Sequence, residues 1–165
     1  MRVMVFGTGR CGSTTFHRAC KHITNYTASH EKYLVNMPDK HINVSCRLTW
    51  ILPLLDQYYN RSDTYYVHLV RNQADTVRSW LRRGAVRGFG HFKKLVCPTW
   101  SNEGAAELCY NTMVAACEQF IETRNGMTVQ LERIEDDFQS FFDDIEACGD
   151  VTAAIETFER RFNAS

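Results

Sequence analysis

An apolar run, Arg2-Val3-Met4-Val5-Phe6, passes directly into Gly7-Thr8-Gly9-Arg10-Cys11-Gly12-Ser13-Thr14-Thr15, and a helix-like stretch follows from Phe16 to Ile23. Few backbone arrangements satisfy that order. Glycines let the chain curl until successive N–H groups point inward, and a helix starting there adds the positive end of its dipole. Ser13, Thr14 and Thr15 bring hydroxyl donors, and Arg10 brings a permanent positive charge. Strand, curled loop and helix in this order make a cradle for an anion. Gly9, Arg10, Cys11, Gly12, Ser13, Thr14 and Thr15 are its candidate lining.

Two common phosphate loops are matched only in part. In G-x-x-x-x-G-K-[ST] a lysine reaches the outer phosphates and the next hydroxyl holds magnesium. Here Gly7 and Gly12 keep the glycine spacing, but Ser13 stands at the lysine position and the basic group lies inside the loop as Arg10. Gly7, Gly9 and Gly12 also fit G-x-G-x-x-G, yet no acidic residue closes a clean second strand. A P-loop nucleotide kinase or hydrolase stays open as an alternative, disfavoured by the missing lysine.

A second segment narrows the choice. Tyr65-Tyr66-Val67-His68-Leu69-Val70 is aromatic and β-branched, as strands are, and it ends at Arg71-Asn72 before a helix-like stretch from Gln73 to Arg83. Arg71 therefore falls at the carboxyl end of a parallel strand, where open α/β sheets bind ligands. Ser79 follows eight residues after Arg71, where its hydroxyl can share a phosphate with the guanidinium if the chain bends suitably.

Together the two segments resemble the sulfotransferase family, whose donor is 3′-phosphoadenosine 5′-phosphosulfate (PAPS). The family's first motif, [KR]-[SC]-G-T-T after a strand, cradles the 5′-phosphosulfate, and Arg10-Cys11-Gly12-Ser13-Thr14 matches it with Ser for the first Thr. Its second motif, Arg-[DN]-P-x-[DE] with a Ser eight residues after the Arg, holds the 3′-phosphate. Arg71-Asn72-Gln73-Ala74-Asp75 and Ser79 match, with Gln73 in place of Pro. The segment Gly126 to Phe138 echoes the family's late strand and acidic turn, and its Glu135-Asp136-Asp137 is read as a solvated acidic helix start.

The resemblance implies transfer of a sulfuryl group from PAPS to a hydroxyl or amine, with a carbohydrate or small molecule favoured as acceptor and no metal required. It also implies a base near the end of the second strand, where Asn25-Tyr26-Thr27-Ala28-Ser29 runs into His30-Glu31-Lys32. Glu31 is the first choice for that base and His30 the second, with Arg10 stabilising the departing phosphate. Arg87, Lys93 and Lys94 are expected on a long loop from Gly84 to Asn102, and with Arg82 and Arg83 just before it they are read as closing over the nucleotide or attracting an anionic acceptor. A catalytically silent protein that binds PAPS, or its desulfated product adenosine 3′,5′-bisphosphate (PAP), through the same core is a third reading.

The rest of the chain sets the frame. With 165 residues and no net charge, one domain over 1–165 is expected, and a nucleic-acid partner is disfavoured. No apolar run spans a membrane, and a signal peptide is not expected because the first residues form the strand. Seven scattered cysteines without a C-x-x-C pair point to a reducing, cytoplasmic setting rather than a disulfide framework. The chain is short for the resembled family, which suits a bacterial or viral source and leaves the acceptor and the oligomeric state open. Strands are expected at Arg2–Phe6, Asn25–Ala28, Ile42–Cys46, Tyr65–Val70 and Thr128–Leu131. Helices are expected at Thr14–Ile23, Leu48–Tyr59, Ala74–Arg83, Ala105–Arg124 and Phe138–Ala147. That alternation gives an α/β fold: three α/β/α layers with a central, mostly parallel, P-loop-like sheet of about five strands.

Overall fold

The computed structural model describes residues 1–32, 37–59, 61–83 and 89–159. Its strands are β1 (Arg2–Gly7), β2 (Thr27–His30), β3 (His41–Val44), β4 (Thr64–Val70) and β5 (Gly126–Gln130). Its α-helices are α1 (Ser13–Ala19), α2 (Leu52–Tyr58), α3 (Gln73–Arg82), α4 (Phe89–Val96), α5 (Asn102–Ile121), α6 (Ile134–Asp144) and α7 (Val151–Glu156), and a 3-10 turn over Cys46–Ile51 leads into α2. The five strands form one sheet in the order β2-β3-β1-β4-β5, every neighbouring pair parallel. The expected three-layer architecture holds.

Parallel sheets need cover on both faces, so their strands read as almost unbroken apolar runs. β1 is buried from Val3 through Gly7, and β4 from Thr64 through Leu69. The period-two alternation of a strand then sorts side chains to opposite faces. Val3, Val5, Ile42, Val44, Val67, Leu69 and Val129 pack with Phe16 of α1 and with Phe138 and Phe141 of α6. Met4, Phe6 and Tyr66 pack on the other face with Leu48, Leu52 and Leu55 around α2, and with Cys117 and Phe120 of α5. The three phenylalanines of the first face stand 5.2 to 5.5 Å apart, ring centre to ring centre. Each fully buried ring of this kind stabilises the fold by roughly 1.5–3 kcal/mol. A third apolar group joins α3, α4 and α5 through Val77, Trp80, Phe89, Cys109, Tyr110 and Met113.

The structure corrects several boundaries. The loop expected from Gly84 to Asn102 contains α4, so Lys93 and Lys94 lie on a helix, and Lys93 donates to Asn102 Oδ1 at 2.6 Å. Phe89 is wholly buried there, and Trp80 stacks on it with ring centres 6.0 Å apart, which anchors the helix. Arg87 lies outside the described residues. β2 starts two residues later than expected because the Asn25 side chain is engaged sideways. It donates to the Glu146 carbonyl at 2.9 Å and accepts from Cys148 N–H at 2.8 Å. The expected third strand stops at Val44, since Ser45 caps the following 3-10 turn by accepting from Arg47 N–H. α7 was not expected at all.

This topology fixes where a ligand can sit. The chain leaves β1 toward β2 and leaves β4 toward β5, so the loops after these adjacent strands diverge and open a crevice between them.

Candidate anion-binding site

The loop after β1 is curled by three left-handed residues, Gly9 (φ 75°), Arg10 (φ 61°) and Gly12 (φ 88°). Gly12 caps α1, its carbonyl accepting from Phe16 N–H at 2.9 Å. A Cβ there would come within 2.7 Å of Leu131 Cδ1 besides meeting a strained φ, so the position requires glycine. The root of the loop is held by Thr49, whose hydroxyl accepts from Gly7 N–H at 3.2 Å and donates to the Gly7 carbonyl at 2.8 Å. Arg10 tolerates a conformation that costs a non-glycine residue about 1 kcal/mol, and its side chain is thereby turned toward α3.

There Arg10 Nε donates to Ser79 Oγ at 2.9 Å, while Arg71 Nη1 reaches the Arg10 carbonyl at 3.5 Å. The two strand-end arginines thus meet across the crevice between β1 and β4. Ser79 is buried and accepts its hydrogen bond from Arg10 rather than from Arg71. Arg71 is steadied by Tyr110, whose hydroxyl donates to the Arg71 carbonyl at 2.7 Å, and by Asp75 at 3.8 Å. The Arg10 guanidinium titrates below its ordinary value. Burial is the main cause, followed by the like charges of Arg83 and Arg71 and, more weakly, Arg82. It remains charged at neutral pH, as guanidinium groups in proteins do. An anion entering the crevice relieves that repulsion.

Beside the loop, on the β2 side, stands Glu31. Its backbone is left-handed (φ 56°), and among the described non-glycine residues only Arg10, Lys40 and Glu146 share that feature. Two of these four conformations therefore border one site, and strained backbone of this kind concentrates at functional positions. The Glu31 carboxylate accepts from Ser45 Oγ–H at 3.1 Å and from Cys46 N–H at 3.2 Å, and it pairs with Arg47 Nε at 3.1 Å. His30 Nε2 lies 3.3 Å from Ser13 Oγ and 4.0 Å from Glu31 Oε1, so the second strand end touches the loop itself. The His17 ring sits 5.7 Å from that of His30. Burial lowers the His17 pKa, and the neighbouring His30 adds to the effect.

The structure thus brings together Arg10, Ser79 and Arg71 on one side of the loop, and Ser13, His30 and Glu31 on the other. Thr14 and Thr15 lie in the first turn of α1, and Cys11 is buried within the loop with its sulfur 3.8 Å from that of Cys46. Arg82 and Arg83 end α3 near Arg10. Ser45, Cys46, Arg47, Thr49 and Tyr110 escaped the sequence reading. Their one visible signal was a Ser directly after the third apolar run, the usual mark of a helical turn's cap. Asp137 corrects another expectation: it is buried rather than solvated, accepting from Gln130 N–H at 2.8 Å and pairing with Arg133 at 2.7 Å. Among the described residues, no three His, Cys, Asp or Glu side chains cluster as a metal ion would require. No helix among them is long and apolar enough to cross a membrane.

No protein-family model matches the chain, and no curated protein matches it in sequence. Solved structures match its fold. Mouse sulfotransferase SULT7A1 complexed with PAP superposes with a TM-score of 0.61 at 10% identity, over 96% of this chain and 63% of that one. Deoxyadenosine kinase from M. mycoides with bound dCTP superposes with a TM-score of 0.54 at 10% identity, over 88% of this chain and 99% of that one. This chain therefore spans about 63% of the length of the sulfotransferase it matches. At such identities the likeness is one of architecture, a P-loop-like α/β fold built on a five-stranded parallel sheet.

Proposed function

We propose that the chain is a compact, cytoplasmic PAPS-dependent sulfotransferase acting on a hydroxyl or amine acceptor, with a carbohydrate or small molecule favoured. The observation that carries this reading is the meeting of Arg10 and Arg71 across one crevice, from two strand ends that match the two donor motifs of that family. A single nucleotide can then place its 5′-phosphosulfate in the loop from Gly9 to Thr15 and its 3′-phosphate by Arg71. Ser79 reaches that phosphate only if Arg10 releases it. The Arg82 and Arg83 charges, close enough to depress Arg10, fit the same anion.

In the reaction so read, the acceptor oxygen or nitrogen attacks sulfur, the bridging S–O bond breaks, and the electron pair leaves with the 5′-phosphate. Catalysis of this kind rests on alignment and on charge stabilisation at the leaving group, which Arg10 and the loop N–H groups supply. Glu31 takes the acceptor proton. Its contact with Arg47 is the one to give way, because the Arg47 side chain is 65% exposed and such pairs hold weakly. His30, within reach of Ser13, orients the loop hydroxyl.

Two observations favour other readings. The kinase likeness suits a P-loop nucleotide kinase or hydrolase, against which stands Ser13 at the position of the phosphate-binding lysine. The three donors on Glu31 suit a non-catalytic PAPS- or PAP-binding protein, because they engage three of the carboxylate's four lone-pair sites. Calorimetric titration with PAP, ATP and GTP separates the readings: PAP binding without magnesium supports the proposal, and magnesium-dependent ATP or GTP binding alone overturns it. An acceptor screen with labelled PAPS then separates an enzyme from a silent binder.

A further inference from the structure

The anion-binding loop carries a chemistry that sulfuryl transfer does not use. Cys11 lies inside the loop and Cys46 opens the 3-10 turn after β3, and their sulfur atoms are 3.8 Å apart. The strands that lead to them are paired, β1 with β3 in parallel and Val5 beside Val44. The contact is therefore a fixed property of the fold rather than a chance approach of two mobile side chains. We infer that Cys11 and Cys46 form an oxidisable dithiol that closes to an intramolecular disulfide under a hydroperoxide, stapling the loop to the end of β3.

The two thiols are unequal, as a reacting pair must be. Cys46 is half-buried and Cys11 fully buried, so the oxidant meets Cys46 first. The Cys46 thiol titrates below its ordinary range, chiefly because the Cys11 thiol hydrogen-bonds to its sulfur, with Ser13 adding to the effect against the opposing cost of burial. The same contact, and then burial, push Cys11 well up. Cys46 is thus the nucleophile and Cys11 the resolving thiol.

In the first step the Cys46 thiolate attacks one peroxide oxygen and the O–O bond breaks. Sulfur is oxidised to sulfenic acid, and the departing oxygen takes a proton to leave as water or an alcohol. In the second step Cys11 gives up its proton, its sulfur attacks Cys46 sulfur, the S–O bond breaks and water leaves. Two thiols and one hydroperoxide become one disulfide, one water and one water or alcohol. The sulfur atoms must close from 3.8 Å to about 2.05 Å. Cys11 sulfur packs so tightly on Gly7 that a Cβ there would lie 2.9 Å from it, so the loop has to shift with the bond. The link also joins the residue whose N–H holds Glu31.

The test uses the full chain. Oxidation with hydrogen peroxide, alkylation of the remaining thiols and non-reducing peptide mapping should yield the Cys11 and Cys46 peptides joined, and dithiothreitol should separate them. Cys46→Ser should abolish that species while Cys148, which is exposed, still reacts. Recovering both Cys11 and Cys46 alkylated after oxidation, or Cys46 joined to a different cysteine, overturns the proposal. Mapping of the unaltered chain decides the matter even if a variant fails to fold. Amide exchange over residues 8–13 should slow at least tenfold on oxidation, and unchanged exchange removes the stapling role. None of these readouts involves PAP, so they stand or fall separately from the sulfotransferase reading.

Discussion

Glu31 combines an uncommon backbone with a full set of hydrogen-bond donors, and that combination is easy to probe. Glu31→Gln keeps the shape, its carbonyl oxygen can still accept from Cys46 N–H and its NH2 can donate to Ser45 Oγ, but it cannot take a proton from an acceptor. It should lower turnover by about 10²–10⁴-fold while PAP affinity, measured by calorimetry, stays within about threefold of the parent. Retained turnover would remove Glu31 as the base. His68 supplies a prediction of a different kind. It is wholly buried in β4 against Phe6, with neither ring nitrogen bonded among the described residues, and burial lowers its pKa to about 4. The unfolded chain binds that proton near pH 6.5, so above this pH both states are neutral and nothing is lost. As pH falls from about 6.5 to about 4 only the unfolded state gains the proton, and stability drops. Urea unfolding at pH 7.5 and pH 4.5 should therefore differ by about 2–3 kcal/mol from this residue, a difference absent in His68→Leu.

At the scale of elements, the loop-to-helix junction is the most demanding piece of backbone. Gly12→Ala combines a left-handed φ with a collision against Leu131, and should destabilise the fold by about 2–3 kcal/mol, read as a lower urea midpoint with an unchanged slope. β1 and β4 were plain in the sequence because the buried middle of a parallel sheet imposes long apolar runs, whereas the edge strands β2 and β5 are short and more polar. Ends were harder to read. β2 began late because Asn25 spends its side chain on the chain near Cys148, a partner more than a hundred residues away. α5 began early at Asn102 because Ser101 accepts from Gly104 N–H, a cap whose surroundings, Pro98 and Gly104 among them, read as loop. α4 escaped because Gly90 and two lysines mask its apolar face, although Phe89 and Phe92 keep helical spacing. The glycine-rich loop after β1 and the two strand-end arginines were legible as local motifs. The set that holds Glu31 was not, since Ser45, Cys46 and Arg47 meet it only through the pairing of β2 with β3.

Over the whole molecule, charges from separate elements gather at one crevice although the chain as a whole is neutral. A ligand that bridges them binds only the folded state. PAP at 100 times its dissociation constant should therefore add about 2.7 kcal/mol to stability, and scanning calorimetry should show the melting temperature rising by several degrees. ATP with magnesium should produce the smaller rise, and a larger one would favour the kinase reading.

The position of β1 in mid-sheet has a consequence for how the protein comes into being. Its partners are β3 and β4, with Arg2 lying beside Thr64 and Val3 beside Ile42, so β1 can pair only with strands made much later. β2 and β3 are neighbours in both chain and sheet, whereas β1 joins by long-range closure, which is slow. During synthesis β1 has no sheet partner until β3 has left the ribosome, and it is enclosed on both edges only after β4 follows. Refolding should accordingly be limited by the joining of β1 to β4, and a truncation ending before Thr64 should show no cooperative unfolding.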